Sequence, residues 1–151
     1  MTRYLVSACL AGFPCRYDGK AKPCAEIVEL YKAGLAQIVC PESLSGLPVP
    51  REPTEKRGDK YYSRSGRDVT ANILAGAEKA LNKALNSGCR KAILKSRSPS
   101  CGICRIYDGT FTGNLTEGNG AFAAKLLEIG FEVYTEESPP EEIYRMLFRQ
   151  K

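Results

Sequence analysis

The sequence of 151 residues contains no histidine and no tryptophan, and only two methionines. The absence of histidine excludes Ser-His-Asp and Cys-His schemes of nucleophilic catalysis, and it excludes mixed Cys/His zinc sites. A metal must therefore be held by thiolates, alone or together with carboxylates. A general acid or base must be a carboxylate, a hydroxyl, a lysine or a thiol.

Long apolar stretches are missing as well, since no run approaches the ~20 residues needed to cross a bilayer. The chain enters a strand-like run directly after Met1-Thr2-Arg3, without the apolar segment and small-residue cleavage site of a secretion signal. We therefore expect a soluble, cytoplasmic protein that does not bind membranes. The net charge of +5 is modest and the basic residues are spread along the chain, so nucleic-acid binding is permitted but not indicated.

Cysteine, in contrast, is frequent. The seven cysteines are an odd number, and in a reducing compartment they favour metal ligation or thiol chemistry over a disulfide framework. With 43% hydrophobic residues, a chain of this length closes a core without disulfides. We expect a single domain over residues 1–151.

Short apolar runs alternate with helical patterns along the chain. The runs at 4–8, 35–39, 92–94 and 131–134 read as strands, and an apolar stripe of Leu74, Ala77, Leu81 and Ala84, ended by Gly88, predicts the longest helix. This alternation predicts an α/β fold that is Rossmann-like: three layers, with a mainly parallel sheet of about four strands flanked by helices.

Three of the apolar runs lead to a cysteine: Cys9 and Cys40 directly, and Cys101 through a stretch of small and hydroxylated residues over 95–104. The carboxyl ends of parallel strands lie along one edge of a sheet, where open α/β sheets bind ligands, so the three thiols can converge. Two kinds of metal site suit three such thiols: a zinc site completed by a carboxylate such as Glu42, or an iron-sulfur cluster. Three thiolates on four irons leave one iron open to act as a Lewis acid.

Residues 43–67 show little regular pattern and hold several prolines, glycines and charges. Structureless segments of this length are usually lids or binding loops, or else flexible. Because the segment begins beside Cys40, we expect a lid-like loop over the site, and a flexible surface excursion is the alternative.

Several motifs together resemble the thiouracil desulfidase family, nearly from end to end: Ser7-Ala8-Cys9-Leu10-Ala11-Gly12, Cys15-Arg16-Tyr17-Asp18-Gly19, Cys40-Pro41-Glu42, Pro50-Arg51-Glu52-Pro53, Lys95-Ser96-Arg97-Ser98-Pro99-Ser100-Cys101-Gly102 and Tyr107-Asp108-Gly109-Thr110-Phe111. The resemblance implies a 4Fe-4S cluster on Cys9, Cys40 and Cys101, and the non-redox removal of sulfur from a thiocarbonyl of a pyrimidine ring. It implies Glu42 as the catalytic carboxylate and Ser98 as the catalytic hydroxyl. The expected partner is a small thiolated nucleobase.

The chemistry of the residues is compatible with this resemblance. A soft thiocarbonyl sulfur would bind the open iron, which makes the ring carbon electrophilic. Glu42 would deprotonate a water molecule for attack on that carbon, or attack it directly, and Ser98 would donate or relay a proton. Sulfur would leave as hydrosulfide, so the reaction requires no electron donor.

Other residues allow more than one interpretation. Cys15 is a fourth ligand, a sulfur relay or a packing residue of its loop. Arg16 and Arg51 hold substrate carbonyls or are solvated, Ser100 is a further candidate of the 95–104 stretch, and Asn119 caps a helix or faces the site. Cys24 and Cys89 read as ordinary semi-buried residues.

Two other functions remain alternatives. Cys101 and Cys104 form a Cys-x-x-Cys pair, which is typical of a dithiol oxidoreductase. The third possibility is a non-catalytic module that binds a metal or sulfur and recognises thiolated RNA bases.

Overall fold

The computed structural model describes residues 3–150, and for residues 148–150 the backbone alone. Along the chain the elements are β1 (Tyr4–Ser7), α1 (Ala25–Lys32), β2 (Ala36–Val39), β3 (Thr54–Arg57), β4 (Lys60–Ser63), α2 (Thr70–Ser87), β5 (Lys91–Leu94), β6 (Arg105–Tyr107), β7 (Leu115–Glu117), α3 (Ala121–Glu128), β8 (Glu132–Thr135) and α4 (Glu142–Gln150). Short 3-10 helices cover Ala8–Ala11 and Ser43–Ser45.

Four of the strands form one parallel sheet in the order β2-β1-β5-β8. Its register pairs Val6 with Ile38 on one side and with Ile93 on the other. Strand β8 continues the sheet, with Leu94 opposite Thr135. The predicted α/β fold with a parallel sheet of about four strands is thereby confirmed.

Side chains alternate between the two faces of this sheet and divide the core into two clusters. Leu5, Ala92 and Leu94 pack on one face against residues of α2 and α3. Tyr4, Val6 and Ile93 pack on the other face against residues of α1 and α4. Because a strand of period two buries both of its faces only when helices cover both, the sequence dictates three layers.

Helix α2 differs from its predicted apolar stripe. Its buried positions are Ile73, Gly76, Ala77, Ala80 and Ala84, with Ser87 at the end, whereas Leu74 is 46% exposed. The stripe predicted through Leu74 was therefore wrong by one residue at its start: the face centred on the alanines lies against the sheet, and Leu74 lies on the flank. The helix ends as predicted at Gly88, whose φ of 76° is left-handed.

The segment 43–67 is more regular than expected. Strands β3 and β4 pair antiparallel, with Glu55 opposite Tyr62, and Gly58 turns the chain between them with a φ of 64°. The prediction of little regular structure was therefore wrong. The charged residues of β3 show no strand pattern, although Glu55 is buried at 8% exposure and Tyr61 at 3%. A second antiparallel hairpin joins β6 and β7.

Within the described residues, no helix combines the length and the apolar character needed to cross a membrane.

Candidate functional site

A cavity of about 330 Å³ opens at the carboxyl edge of the parallel sheet. Segments following β1, β2 and β5 form its floor, and both hairpins contribute to its wall. Its lining includes these residues singled out from the sequence: Cys9, Cys15, Arg16, Cys40, Glu42, Ser98, Ser100 and Cys101. Thiols that are 92 positions apart in the chain therefore meet at one place, as the strand-end argument predicted.

Cys9 and Cys40 follow their strands directly. Cys9 lies in the 3-10 helix Ala8–Ala11 after β1 and is 7% exposed. Cys40 follows β2, and the turn after it rests on α2 at Gly76, where a Cβ atom would clash with the carbonyl oxygen of Pro41. Only glycine permits so close an approach, so Gly76 fixes the turn that carries Cys40.

Cys101 is held by the start of helix α3. The carbonyl of Pro99 accepts a hydrogen bond from the Ala121 amide at 2.8 Å, and that of Ser100 accepts one from Phe122 at 2.9 Å. These bonds pair amides that a helix N-terminus leaves without partners. The loop from β5 is thereby clamped to α3, and Cys101 lies against the cavity at 5% exposure.

The fourth thiol, Cys15, lies between two of the others. Its hydrogen bond with Cys40 lowers its pKa, whereas its hydrogen bond with Cys9 and its burial raise it, to a net pKa of about 11. The same contact with Cys15, followed by burial, raises the pKa of the Cys40 thiol. Burial also raises the pKa of Cys101. These thiols become thiolates at neutral pH only beside a strong positive charge, which bound metal supplies.

Glu42 and Arg51 form an ion pair beside the thiols. The guanidinium Nη2 lies 2.6 Å from Oε2 of Glu42, and the two side chains are only 18% and 5% exposed for Glu42 and Arg51. The same Nη2 donates to the carbonyl of Cys15 at 3.2 Å, and Nη1 donates to that of Pro48. Arg51 is thus not a solvated surface residue: it fixes the carboxylate of Glu42 relative to the Cys15 loop.

Ser98 is oriented by the backbone of its own loop. Its Oγ accepts hydrogen bonds from the amides of Ser100 and Cys101, each at 3.1 Å. With two donors directed at the oxygen, the hydroxyl hydrogen remains to be donated elsewhere. Since Ser98 lines the cavity, that donor can serve a molecule bound there.

The cavity lining fits a metal cluster. The Ser100 hydroxyl is 1% exposed, lines the cavity and has no hydrogen-bond partner among the described residues. Because buried polar groups are normally paired, an occupant with acceptor atoms, such as the inorganic sulfides of a cluster, would satisfy it. In the described part of the chain no three Cys, Asp or Glu side chains are grouped closely enough for a single ion. Cysteine thiols without histidine, as on this lining, are the donors that iron-sulfur clusters use.

The cavity wall contains residues that sequence reasoning did not single out. Glu55, buried in β3, accepts hydrogen bonds from the amides of Gly109 at 3.0 Å and Phe111 at 3.1 Å, and so joins the two hairpins. Phe111 has a φ of 59°, and the Arg64 guanidinium lies 5.9 Å from its ring centre. All of these except Gly109 line the cavity. The Asp-Gly turn at 108–109 marked a turn, but no local signal marks its partner 54 positions away.

The remaining candidates lie at the margin or elsewhere. Arg16 lines the cavity with its guanidinium 5.7 Å from the centre of the Tyr17 ring. The side-chain oxygen of Asn119 accepts a hydrogen bond from the Cys104 amide at 2.9 Å, which ties two loops together outside the cavity lining. Cys104 is exposed and borders a second cavity, which Cys9, Cys40 and Cys101 do not line.

Cys24 and Cys89 have structural positions. Cys24 is the N-cap residue of α1 and donates to Glu26, and Cys89 is buried in the core beside α2. Both placements agree with the interpretation as ordinary semi-buried residues.

Fold and cavity together define a class of protein: an α/β domain architecture with a thiol-lined cavity at the carboxyl edge of its sheet, next to a buried carboxylate ion pair. Comparison with known proteins narrows this class. The chain belongs to the 2-thiouracil desulfurase family, whose model matches residues 4–138. The resemblance inferred from the sequence motifs is thereby confirmed.

The chain is also similar to two individual proteins. The solved structure of the [4Fe-4S]-dependent thiouracil desulfidase TudS superposes with a TM-score of 0.88, at 42% sequence identity, and the match covers 98% of this chain and 99% of that one. A protein of Bacillus subtilis (strain 168), described as the uncharacterized protein YbbK, is 40% identical over 142 residues, which cover 87% of this chain and 94% of that protein.

Proposed function

We propose that this protein is a non-redox desulfidase that removes sulfur from the thiocarbonyl of a thiolated pyrimidine such as 2-thiouracil, with a 4Fe-4S cluster as cofactor. One observation carries the proposal: thiols that follow three strands line one cavity together with Glu42, whose carboxylate is held by Arg51. The chain is in addition 42% identical, over nearly its whole length, to a protein described as a [4Fe-4S]-dependent thiouracil desulfidase. We assign Cys9, Cys40 and Cys101 as cluster ligands.

When bound, the cluster supplies an iron without a protein ligand, a Lewis acid suited to the soft sulfur of a C=S bond. The net reaction replaces that sulfur by oxygen: thiocarbonyl and water give carbonyl and hydrogen sulfide, so no electrons are exchanged. The protein has to position the ring, remove a proton from water and return a proton to the products.

Glu42 is suited to be the base. Arg51 holds its Oε2, and Oε1 takes part in no hydrogen bond among the described residues, so it is available to accept a proton from water. Fixing the carboxylate in this way keeps it in one orientation at the cavity, and a positioned base is worth on the order of 10²–10⁴ in rate.

Ser98 is suited to be the proton donor. Two amides fix its oxygen, so its hydrogen points away from the loop that carries Cys101. A hydroxyl that accepts two hydrogen bonds is a better donor than a free one, because the bonds stabilise developing negative charge on the oxygen. We assign Ser98 to protonate, or to relay a proton to, a ring atom or the leaving sulfur.

We also propose that the chain acts as one domain and that residues 43–67 cover the site. Pro53, Thr54, Glu55 and Arg64 of this segment line the cavity. The amide of Arg51 donates to the carbonyl of Tyr17 at 2.7 Å, which ties the start of the segment to the loop of Cys15. A cover of this kind excludes bulk water from the reacting carbon.

No observation favours the alternatives. Cys101 and Cys104 border different cavities, which does not suit a dithiol pair, and neither similar protein is described as an oxidoreductase or an RNA-binding module. Cytoplasmic location and a free nucleobase as the substrate stay predictions.

The test is anaerobic purification, with iron and sulfide quantified, followed by an assay of 2-thiouracil without a reductant. We expect a brown protein with about four irons per chain and release of uracil and sulfide. Glu42→Gln should keep the iron and lose on the order of 10²–10⁴ in kcat. Glu52→Gln is the matched control, since Glu52 lies ten positions further along the chain but is exposed and accepts hydrogen bonds from Ser65. A colourless protein, or turnover only with added reductant, would contradict the proposal.

A further inference from the structure

Serine hydroxyls lie beside two of the proposed cluster ligands. The Oγ of Ser43 donates to the sulfur of Cys40 at 3.2 Å. This contact lowers the pKa of the Cys40 thiol, against the larger effects of Cys15 and of burial, which raise it. Ser43 is exposed and does not pack in the core, so a substitution there should not disturb the fold.

Ser7 holds the corresponding position beside Cys101. It is 2% exposed, lines the cavity, and accepts a hydrogen bond on its Oγ from the Lys95 amide at 2.9 Å. Its own hydrogen is therefore left to donate. Ser7 and Cys101 line the same cavity, and the Ser7 side chain lowers the pKa of the Cys101 thiol, in opposition to burial.

Ser100 adds a third hydroxyl, and this one has no partner. It is buried and borders the same cavity. Its backbone is held by hydrogen bonds from the first amides of α3 to the carbonyl of Ser100. A buried donor without an acceptor destabilises the fold, so an acceptor in the cavity is favoured. The three serines therefore share one property: each offers a hydroxyl hydrogen toward the place where we assign sulfur atoms.

We propose that Ser7, Ser43 and Ser100 donate hydrogen bonds to the sulfur atoms of the bound cluster: Ser43 to the Cys40 thiolate, Ser7 to the Cys101 thiolate, and Ser100 to an inorganic sulfide. The inference rests on the proposed function, since it requires the cluster. Hydrogen bonds to these sulfurs stabilise negative charge, so they raise the reduction potential of the cluster. They also withdraw electron density from the irons, which strengthens the open iron as a Lewis acid. Ser7 and Ser43 tune the site through the ligands and are not catalytic residues.

The experiment measures the midpoint potential of the anaerobically purified full chain by titration with a reductant, followed by absorbance and electron paramagnetic resonance. We expect Ser43→Ala and Ser7→Ala each to keep the iron content and to shift the potential to a more negative value. Ser43→Thr, which retains a hydroxyl, should restore the wild-type potential. Ser100→Ala should shift the potential in the same direction.

The control is Ser87→Ala. Ser87 is buried like Ser7, at 6% against 2% exposure, but its Oγ donates to the carbonyl of Ala84 at the end of α2, and it does not line the cavity. Its potential should equal that of the wild type even if the protein is less stable. Loss of stability alone therefore does not reproduce the expected result.

The outcomes separate this inference from the proposed function. If the wild-type chain holds no cluster, the proposed function fails. If it holds one, and Ser43→Ala and Ser7→Ala leave the potential unchanged, the hydrogen-bond inference is overturned while the desulfidase stands. Should Ser7→Ala not fold, Ser43→Ala and Ser43→Thr decide, because position 43 is exposed.

Discussion

The edge of the parallel sheet and the wall opposite it are built by different means. The edge carries Cys9, Cys40 and Cys101, each placed by backbone that leaves a strand or caps a helix. The wall consists of two hairpins, and one buried carboxylate, Glu55, holds them together through the amides of Gly109 and Phe111. The edge is thus a product of the fold, whereas the wall depends on side chains.

The difference separates two tasks. A cluster needs ligands at fixed distances, which backbone anchored to a sheet and a helix provides. A substrate has to enter and leave, so the surface over it is better formed by an attached layer than by the core. Loss of one of the three cysteines of the edge should therefore remove the cofactor, and changes in the wall should alter substrate binding with the cofactor in place.

The largest effect is expected for Cys40→Ser. A serine oxygen is a poor ligand for iron compared with a thiolate, so we expect loss of most iron and sulfide and of all measurable turnover. Iron analysis and absorbance of the anaerobic protein check this result. Cys24→Ser is the control, because Cys24 caps α1 and lies outside the cavity lining. Equal iron content in the two variants would show that Cys40 is not a ligand.

The second largest effect is expected for Arg51→Gln, which should impair the catalytic base and leave the cluster bound. Without the guanidinium, Glu42 loses its fixed orientation, and the Cys15 and Pro48 carbonyls lose their donor. We expect iron content to stay and kcat to fall by about 10²-fold, the usual scale for a misplaced catalytic group. Arg51→Lys keeps the charge but not the forked geometry, so its kcat should lie in between. A change in KM alone would mean that Arg51 acts on substrate binding instead.

Much of the edge could be predicted from the sequence because its determinants are local. An apolar run followed by Cys9 or Cys40 implies a strand end, and parallel strands bring such ends together. Ser98 and Ser100 could be predicted as site candidates for the same reason, since the 95–104 stretch lies directly after β5. The role of Arg51 was not, because its partner, Glu42, is fixed only by the folded path of the segment between them.

The wall could not be predicted because its determinants are distant in sequence. The four residues of β3 include three charged side chains and read as surface, yet Glu55 is buried by partners on a loop more than fifty positions later. Leu74 shows the same limit in α2: the pattern admits two adjacent stripes, and only packing on the sheet decides for Ile73. Local patterns set which elements form, and long-range contacts set which face is buried.

Glu55→Ala should loosen the wall and leave the edge intact. The change leaves two amides of the 109–111 loop without their acceptor, which costs about 1–3 kcal/mol of the free energy of unfolding. We expect a KM for 2-thiouracil raised several-fold, with iron content unchanged. Thermal unfolding and steady-state kinetics check the two effects. Glu55→Gln retains one acceptor oxygen and should have the smaller effect on both. If Glu55→Ala instead lost its iron, the cluster ligands of the edge would depend on the wall.

The smallest effect is expected for Phe111→Leu, which tests whether the wall supplies a surface for a flat ring. Phe111 lines the cavity, and the Arg64 guanidinium lies near one side of its ring. Stacking of a base on an aromatic side chain is worth about 1–3 kcal/mol, and leucine retains the apolar part of that contact. We therefore expect KM to rise by about two- to five-fold with kcat and iron content unchanged, measured by steady-state kinetics on the anaerobic protein. Tyr31→Leu, on the exposed side of α1, removes an aromatic ring outside the cavity lining and should leave KM as it is. A fall in kcat without a change in KM would place Phe111 with the catalytic groups of the edge instead of with the wall.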